Sequence, residues 1–113
     1  MPYINLKTTE KLDTGATEAL KSALGEAIAL IPGKSERWLM INLDGECTMA
    51  LSGEMGKCAM LEVEIFGKAT SEAYDALTKR LCDTVSNVLD IPSDRIYIKY
   101  AEVGHWGYNG FNF

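Results

Sequence analysis

The same order of elements occurs twice in this sequence, and each copy closes its helix with an Ile-Pro pair. Ile31-Pro32 and Ile91-Pro92 each follow a stretch in which apolar residues recur every three or four positions. That spacing predicts an amphipathic helix, and proline ends it because proline cannot continue the helical hydrogen bonding. A strand-like segment stands before and after each helix. Each half of the chain is therefore predicted to be a β-α-β unit, with a pseudo-repeat over roughly residues 1–45 and 58–103.

Residues 3–8 and 58–66 alternate apolar and polar residues, as a strand with one buried face does. Residues 38–44 and 95–101 are also predicted to be strands. Small polar residues stand where each helix begins, and their side chains can accept a hydrogen bond from the first helical turn. The candidate caps are Asp13 or Thr14 for the first helix and Thr70 or Ser71 for the second.

Two β-α-β units side by side predict an α+β fold with a four-stranded mixed sheet and both helices on one face. Glycines in residues 46–57 predict a hairpin-like connection, and the tail predicts short C-terminal strands. The second face of the sheet needs a cover, although Glu62 and Glu64 indicate that it is partly polar. A partner subunit is the expected cover. A chain of 113 residues predicts one domain, 1–113.

Composition excludes several classes of protein and site. The net charge of −5, with both signs mixed along the chain, disfavours a nucleic-acid partner. The chain has no long apolar run for a membrane span and no signal-peptide pattern, so a cytoplasmic location is expected. Cys47, Cys58 and Cys82 form no CxxC pair, and His105 is the only histidine. Neither a disulfide framework nor a metal site is therefore expected, and His105 is predicted to be a turn residue.

Pro2, directly behind Met1, is a candidate catalytic group. A small second residue normally allows an aminopeptidase to remove Met1, which would leave Pro2 with a free secondary amine. An apolar pocket would lower the pKa of that amine, so it could act as a neutral base near physiological pH. The alternative is that Pro2 merely begins the first strand.

The tail from residue 105 to residue 113 is rich in aromatic side chains. Four of its nine residues are aromatic, and its glycines permit tight turns. This composition fits a terminal hairpin packed on the core. It also fits an apolar wall around a flat aromatic ligand.

Five short motifs are Pro2 behind Met1, Gly33-Lys34, Ile65-Phe66-Gly67-Lys68, Asp94-Arg95-Ile96-Tyr97-Ile98 and Trp106-Gly107-Tyr108-Asn109-Gly110. Their order and spacing resemble those of the macrophage migration inhibitory factor family of the tautomerase superfamily. The chain resembles a microbial-type member over essentially its whole length. The resemblance implies a homotrimer with active sites between subunits, no cofactor, and keto–enol tautomerisation of phenylpyruvate-like 2-oxo acids.

The resemblance also implies roles for individual residues. Pro2 would be the catalytic base and Lys34 would bind the substrate carboxylate. The implied substrate-binding residues are the backbone of Phe66, Tyr97 from the neighbouring subunit, and Trp38 at the pocket rim. Lys99, Trp106 and Tyr108 are further candidates for substrate binding. Each of these residues also has a structural alternative. Lys99, for example, could equally be a surface charge of its strand.

The sequence departs from the family pattern at several positions. Leu61 stands where animal members carry the second cysteine of a CxxC, so thiol–disulfide chemistry is not expected. Lys99 replaces a common asparagine, Tyr108 a common tryptophan, and Phe66 a common isoleucine, so the pocket is expected to differ in charge and shape.

These departures keep two other functions open. One is a cytokine-like host-interaction protein with a vestigial site, which would bind a host receptor if secreted without a signal peptide. The other is decarboxylation or dehalogenation on the same fold, which the lack of an evident arginine pair disfavours.

Overall fold

The computed structural model describes the whole chain, from Met1 to Phe113, as two α-helices and eight strands. The helices are α1, Thr14–Ala27, and α2, Ser71–Leu89. The strands are β1, Pro2–Thr8; β2, Met40–Asp44; β3, Ala50–Leu51; β4, Glu54–Met55; β5, Ala59–Phe66; β6, Ile96–Val103; β7, Gly107–Tyr108; and β8, Phe111–Asn112.

Four of the strands form one mixed sheet in the order β2-β1-β5-β6. Strand β1 runs parallel to β2, and β5 runs parallel to β6, as two β-α-β units require. The two units meet where β1 and β5 pair antiparallel, with Pro2 opposite Ile65 and Thr8 opposite Ala59. The predicted fold class is thus confirmed, and strands β3-β4 and β7-β8 form two small hairpins beside the main sheet.

The helices begin at the two predicted side-chain caps. The Asp13 carboxylate accepts a hydrogen bond from the amide of Ala16 at 2.8 Å, and the Thr70 hydroxyl accepts one from the amide of Ala73 at 3.1 Å. Each bond satisfies an amide that has no partner within the first helical turn. Helix α2 ends at Asp90, which takes the left-handed conformation with φ 55°.

The core lies between the two helices and one face of the sheet. Alternate residues of the central strands are almost fully buried, and they face the apolar sides of both helices. The largest contributors are Ile4, Leu6, Leu61, Val63 and Ile65 from the strands and Leu20, Leu24, Leu77, Leu81 and Val85 from the helices. This packing confirms that both helices cover the same sheet face. Cys58 is buried, and Cys82 is only partly buried.

The opposite sheet face carries a polar row that crosses all four strands. Asn42 donates a hydrogen bond to the side-chain oxygen of Asn5 at 2.9 Å, and Asn5 donates to Glu62 at 3.4 Å. Glu62 in turn pairs with the ammonium of Lys99 at 3.3 Å. This face is therefore polar at its middle, as Glu62 predicted, but it also exposes large apolar side chains such as Met40.

Three element boundaries differ from the prediction. The second strand begins at Met40 and not at residue 38, because Glu36–Trp38 form a 3-10 turn. Helix α1 gives way to a 3-10 turn at Ile28–Leu30 before the Ile-Pro pair. The last long strand covers Ile96–Val103, two residues beyond its predicted end.

Arg95 fastens the β3-β4 hairpin to the start of β6. Its guanidinium donates to the backbone carbonyls of Lys57 at 2.7 Å, Glu54 at 3.0 Å and Leu51 at 3.3 Å. Because all three carbonyls accept hydrogen bonds from one planar guanidinium, Arg95 ties the hairpin predicted for residues 46–57 to β6. Neither α1 nor α2 is long and apolar enough to cross a membrane.

Truncation of the buried Leu81 should destabilise the fold. Leu81→Ala leaves a cavity between α2 and the sheet, and such changes cost about 2–5 kcal/mol of unfolding free energy. Leu30→Ala is the matched control, because Leu30 is 37% exposed and its loss should cost less than about 1 kcal/mol. Urea denaturation at one fixed protein concentration compares the two variants. Equal losses would contradict the described core.

Candidate active site

A cavity of about 750 Å³ lies at the end of the sheet where β1 begins and β6 ends. Most of its lining residues are hydrophobic, and they come from four parts of the chain that are distant in sequence. These parts are residues 1–3, residues 37–40, Glu64 of β5, and Val103 with the segment 105–108. Four predicted site residues meet here, namely Pro2, Trp38, Trp106 and Tyr108.

Four aromatic rings form a continuous series of contacts at this end of the molecule. The ring centroids of Trp38 and Tyr108 are 5.3 Å apart and the rings meet edge to face. Tyr108 stacks on Phe113 at 6.4 Å, and Phe113 lies 5.9 Å from Phe66. We call Trp38, Tyr108, Phe113 and Phe66 the aromatic wall. These separations are typical of favourable aromatic pairs, so the tail is docked against the body of the chain through its rings.

Lys34 and Phe66 hold the N-terminus through two short hydrogen bonds. The ammonium of Lys34 donates to the carbonyl of Phe66 at 2.8 Å, and the amide of Phe66 donates to the carbonyl of Met1 at 2.9 Å. Met1 lines the cavity, whereas Lys34 and Phe66 are not among its lining residues. Of these three residues only Met1 lines the cavity, and it is joined to the two predicted site residues through the amide of Phe66.

The terminal amine lies in an environment that disfavours its charged form. Burial lowers the pKa of the Met1 amine below its usual 8.0, and the positive charge of Lys34 and a hydrogen bond with Lys34 lower it further. Both effects have the same sign, because burial and a like charge each destabilise the ammonium. The surroundings therefore make the Met1 amine less basic than an exposed terminal amine.

Tyr97 and Lys99 lie far from this cavity within the same chain. Pro2 is opposite Ile65, which is opposite Glu102 on β6. Tyr97 is five residues before Glu102, which is about 16 Å along a strand that rises about 3.3 Å per residue. Tyr97 is 59% exposed, and Lys99 is paired with Glu62. One chain alone does not bring either residue to Pro2.

Three polar cavity residues were missed by the sequence analysis. His105, predicted as a turn residue, lines the cavity, as do Arg37 and Glu64. The guanidinium carbon of Arg37 lies 5.1 Å from the centroid of the Trp38 ring. Arg37 could have been predicted as a site residue because it directly precedes Trp38, the predicted rim aromatic. Glu64 could have been predicted because strand alternation places it on the same sheet face as Glu62.

Metal-ligand clusters are not a feature of this structure. No group of three or more His, Cys, Asp and Glu side chains is placed to hold a metal ion, and all three cysteines are unpaired. The chemistry available at the cavity is that of an amine, two nearby cations, a carboxylate and aromatic surfaces.

The family described as macrophage migration inhibitory factor (MIF) matches residues 1–113 of this chain. The chain belongs to this family. The MIF of Xenopus laevis is 28% identical to it over 115 residues, which cover 100% of this chain and 99% of the relative. The MIF of Meriones unguiculatus is 30% identical over 98 residues, which cover 85% of each protein. The family resemblance inferred from the five motifs is confirmed.

Solved structures of the family have the same fold. The crystal structure of Leishmania major MIF2 superimposes with a TM-score of 0.93 at 26% identity, covering 100% of this chain and 97% of the other. A MIF homologue from Prochlorococcus marinus superimposes with a TM-score of 0.84 at 28% identity, covering 98% of each chain.

Removal of the Lys34 charge should raise the pKa of the terminal amine. In a chain that retains Met1, Lys34→Met removes the positive neighbour, so a smaller fraction of the amine is neutral at pH 7. The amine should then react more slowly with an amine-reactive ester, as measured by mass spectrometry of the N-terminal peptide. Lys68→Met, which removes an exposed lysine, is the control and should change the rate little. Equal rates in all three proteins would contradict the described electrostatics.

Proposed function

We propose that this MIF-family protein is a keto–enol tautomerase of phenylpyruvate-like 2-oxo acids, with the amine of Pro2 as general base after Met1 is removed. The observation that carries the proposal is the position of Pro2. It lies at an aromatic-lined cavity, in surroundings where burial and Lys34 lower the pKa of the chain's terminal amine. A base that is neutral near physiological pH is what proton abstraction beside a carbonyl requires.

Removal of Met1 would create the base and open the site together. The Pro2 nitrogen, an amide nitrogen while Met1 is attached, would become a secondary amine next to Lys34 and Phe66. The amide of Phe66 would lose its partner, the Met1 carbonyl, and become free to bind a substrate oxygen. Lys34 does not line the cavity while Met1 is attached. After removal of Met1 it would face the cavity and keep its hydrogen bond with the Phe66 carbonyl.

The proton transfer follows from these groups. The neutral Pro2 amine takes a proton from the carbon next to the keto group, and the electron pair of that C–H bond forms the C=C bond. The keto oxygen gains the negative charge and takes a proton from solvent water, which gives the enol, while the Pro2 ammonium returns its proton to the solvent. In the reverse direction the Pro2 ammonium returns the proton to carbon. Lys34 and the Phe66 amide stabilise the carboxylate and the developing oxyanion, since both are hydrogen-bond donors.

The aromatic residues give the site its preference for an aromatic substrate. Trp38, Trp106 and Tyr108 line the cavity with flat apolar surface, on which a phenyl ring can stack or meet edge to face. With the carboxylate at Lys34, the substrate ring would extend toward Trp38 and Tyr108. Phe66 contributes its backbone to the acid end and its ring to the aromatic wall.

We further propose a homotrimer in which Tyr97 of a neighbouring chain completes each site. Its exposure and its distance from Pro2 within one chain support a role across a subunit boundary. Lys99 lies on the same strand face and would accompany Tyr97, but it would first have to leave Glu62. Tyr97 is therefore the stronger candidate for donating a hydrogen bond to the substrate.

Activity should depend on the removal of Met1. Two preparations of the same sequence, one beginning at Pro2 and one retaining Met1, are compared for phenylpyruvate ketonisation. The form that retains Met1 should be slower by about 10²- to 10⁴-fold, the usual contribution of a general base. A chain that begins with Ala in place of Pro2 shows whether any terminal amine suffices or whether the secondary amine of proline is needed. Equal rates in the Pro2 and Met1 forms would contradict the proposal.

Subunit mixing tests whether Tyr97 completes a neighbouring site. Tyr97→Ala, beginning at Pro2, should lose at least about tenfold in rate, and the Met1-retaining chain should be slower by about 10²- to 10⁴-fold. When equal amounts are unfolded and refolded together, about a quarter of the sites should combine an intact Pro2 with an intact neighbouring Tyr97. Activity should then exceed the sum of the two proteins refolded separately, in particles of three times the 12.4 kDa chain mass. No recovery in such particles would contradict the shared site.

A further inference from the structure

The aromatic wall has a cation at each end of its series of contacts. At one end, the ammonium of Lys34 is bonded to the carbonyl of Phe66. At the other end, the guanidinium of Arg37 lies over the ring of Trp38. The proposed function assigns a role to Lys34. It assigns none to Arg37, although Arg37 lines the cavity.

The guanidinium of Arg37 is free to bind a ligand. The five ion pairs of the chain involve Lys57, Lys79, Arg80 and Lys99 as cations, and Arg37 takes part in none of them. Its contact with Trp38 uses the ring face, so the N–H groups at the edge of the guanidinium plane keep their hydrogen-bonding capacity. Those N–H groups form a fork that matches the two oxygens of a carboxylate.

The remaining charge in the cavity restricts where an anionic group can bind. Glu64 lines the same cavity from β5, beside Tyr3 of β1, and it also takes part in no ion pair. A ligand carboxylate near Glu64 would be repelled, whereas one near Arg37 would be attracted. Of these two charged lining residues, Arg37 is therefore the one that favours an acidic group of the ligand.

We propose that Arg37 is a specificity-determining residue that binds a second anionic group at the far end of the substrate. The preferred substrates are then aromatic 2-oxo acids that carry another acidic group on the ring, in place of simple phenylpyruvate. This inference rests on the proposed function, because Lys34 and Pro2 define which end of the substrate enters first. Lys34 is bonded to Phe66 and Arg37 lies over Trp38, the two end residues of the aromatic wall, so the substrate ring would lie between the two cations.

The test measures binding of two aromatic acids that cannot tautomerise. Cinnamate has one carboxylate, and 4-carboxycinnamate has a second one at the opposite end of the ring. Both tryptophans of the chain line the cavity, so fluorescence titration of the chain beginning at Pro2 reports binding. The diacid should bind about tenfold more tightly than the monoacid, as expected for a charge-assisted bidentate contact.

Arg37→Gln is the decisive variant and Arg80→Gln is its control. Arg37→Gln should abolish the advantage of the diacid and change cinnamate binding by less than about threefold, because only the second carboxylate contacts residue 37. Arg80 lies on α2, paired with Glu26, so its replacement removes the same charge far from the cavity and should keep the advantage. Equal affinity for both acids in the unsubstituted protein, or an advantage that survives in Arg37→Gln, would overturn the proposal.

Kinetics separate this inference from the proposed function. With phenylpyruvate and its 4-carboxy derivative, Arg37→Gln should raise KM for the diacid about tenfold and leave kcat unchanged, since residue 37 does not touch the reacting atoms. Turnover of both acids without any effect of Arg37→Gln would overturn this inference alone. Arg37-dependent binding of the diacid without turnover would overturn the tautomerase proposal and support Arg37 as the anion-binding residue.

Discussion

The pairing of β1 with β5 is the contact on which the rest of this structure depends. It joins the two β-α-β units into one sheet and closes a single core beneath both helices. It also places Pro2 opposite Ile65, so the next residue, Phe66, can bond both to the Met1 carbonyl and to Lys34. A shift of one residue in this register would send the apolar side chains to the wrong face and move Phe66 away from the N-terminus.

Local chemistry explains how much of the fold could be predicted from the sequence. Strand alternation, helical spacing and side-chain caps act within a few residues, so Asp13, Thr70 and the two Ile-Pro pairs marked the elements correctly. The strand at Met40 was predicted two residues too early because Trp38 is apolar and suits a strand. Its backbone instead follows the 3-10 turn that brings the indole to the cavity.

The candidate site could be predicted only in part, because it depends on contacts between distant segments. Pro2, Trp38, Trp106 and Tyr108 come together at the cavity, and the family resemblance had already indicated all four. Arg37, Glu64 and His105 carry no motif of their own, and only the tertiary structure places them there. Tyr97 and Lys99 illustrate the converse, since the family resemblance named them as site residues but the fold of one chain does not bring them to Pro2.

The attachment of the β3-β4 hairpin has a consequence for how the protein can vary among organisms. Arg95 contacts only backbone carbonyls of this segment, which every amino acid provides. Replacement of a hairpin side chain, such as the exposed Met55, therefore leaves the acceptors of these three hydrogen bonds unchanged. Arg95 itself lacks that freedom, because the single ammonium of lysine cannot reproduce a planar fork of donors. The attachment is thus compatible with substitution of the hairpin side chains but not with substitution of Arg95.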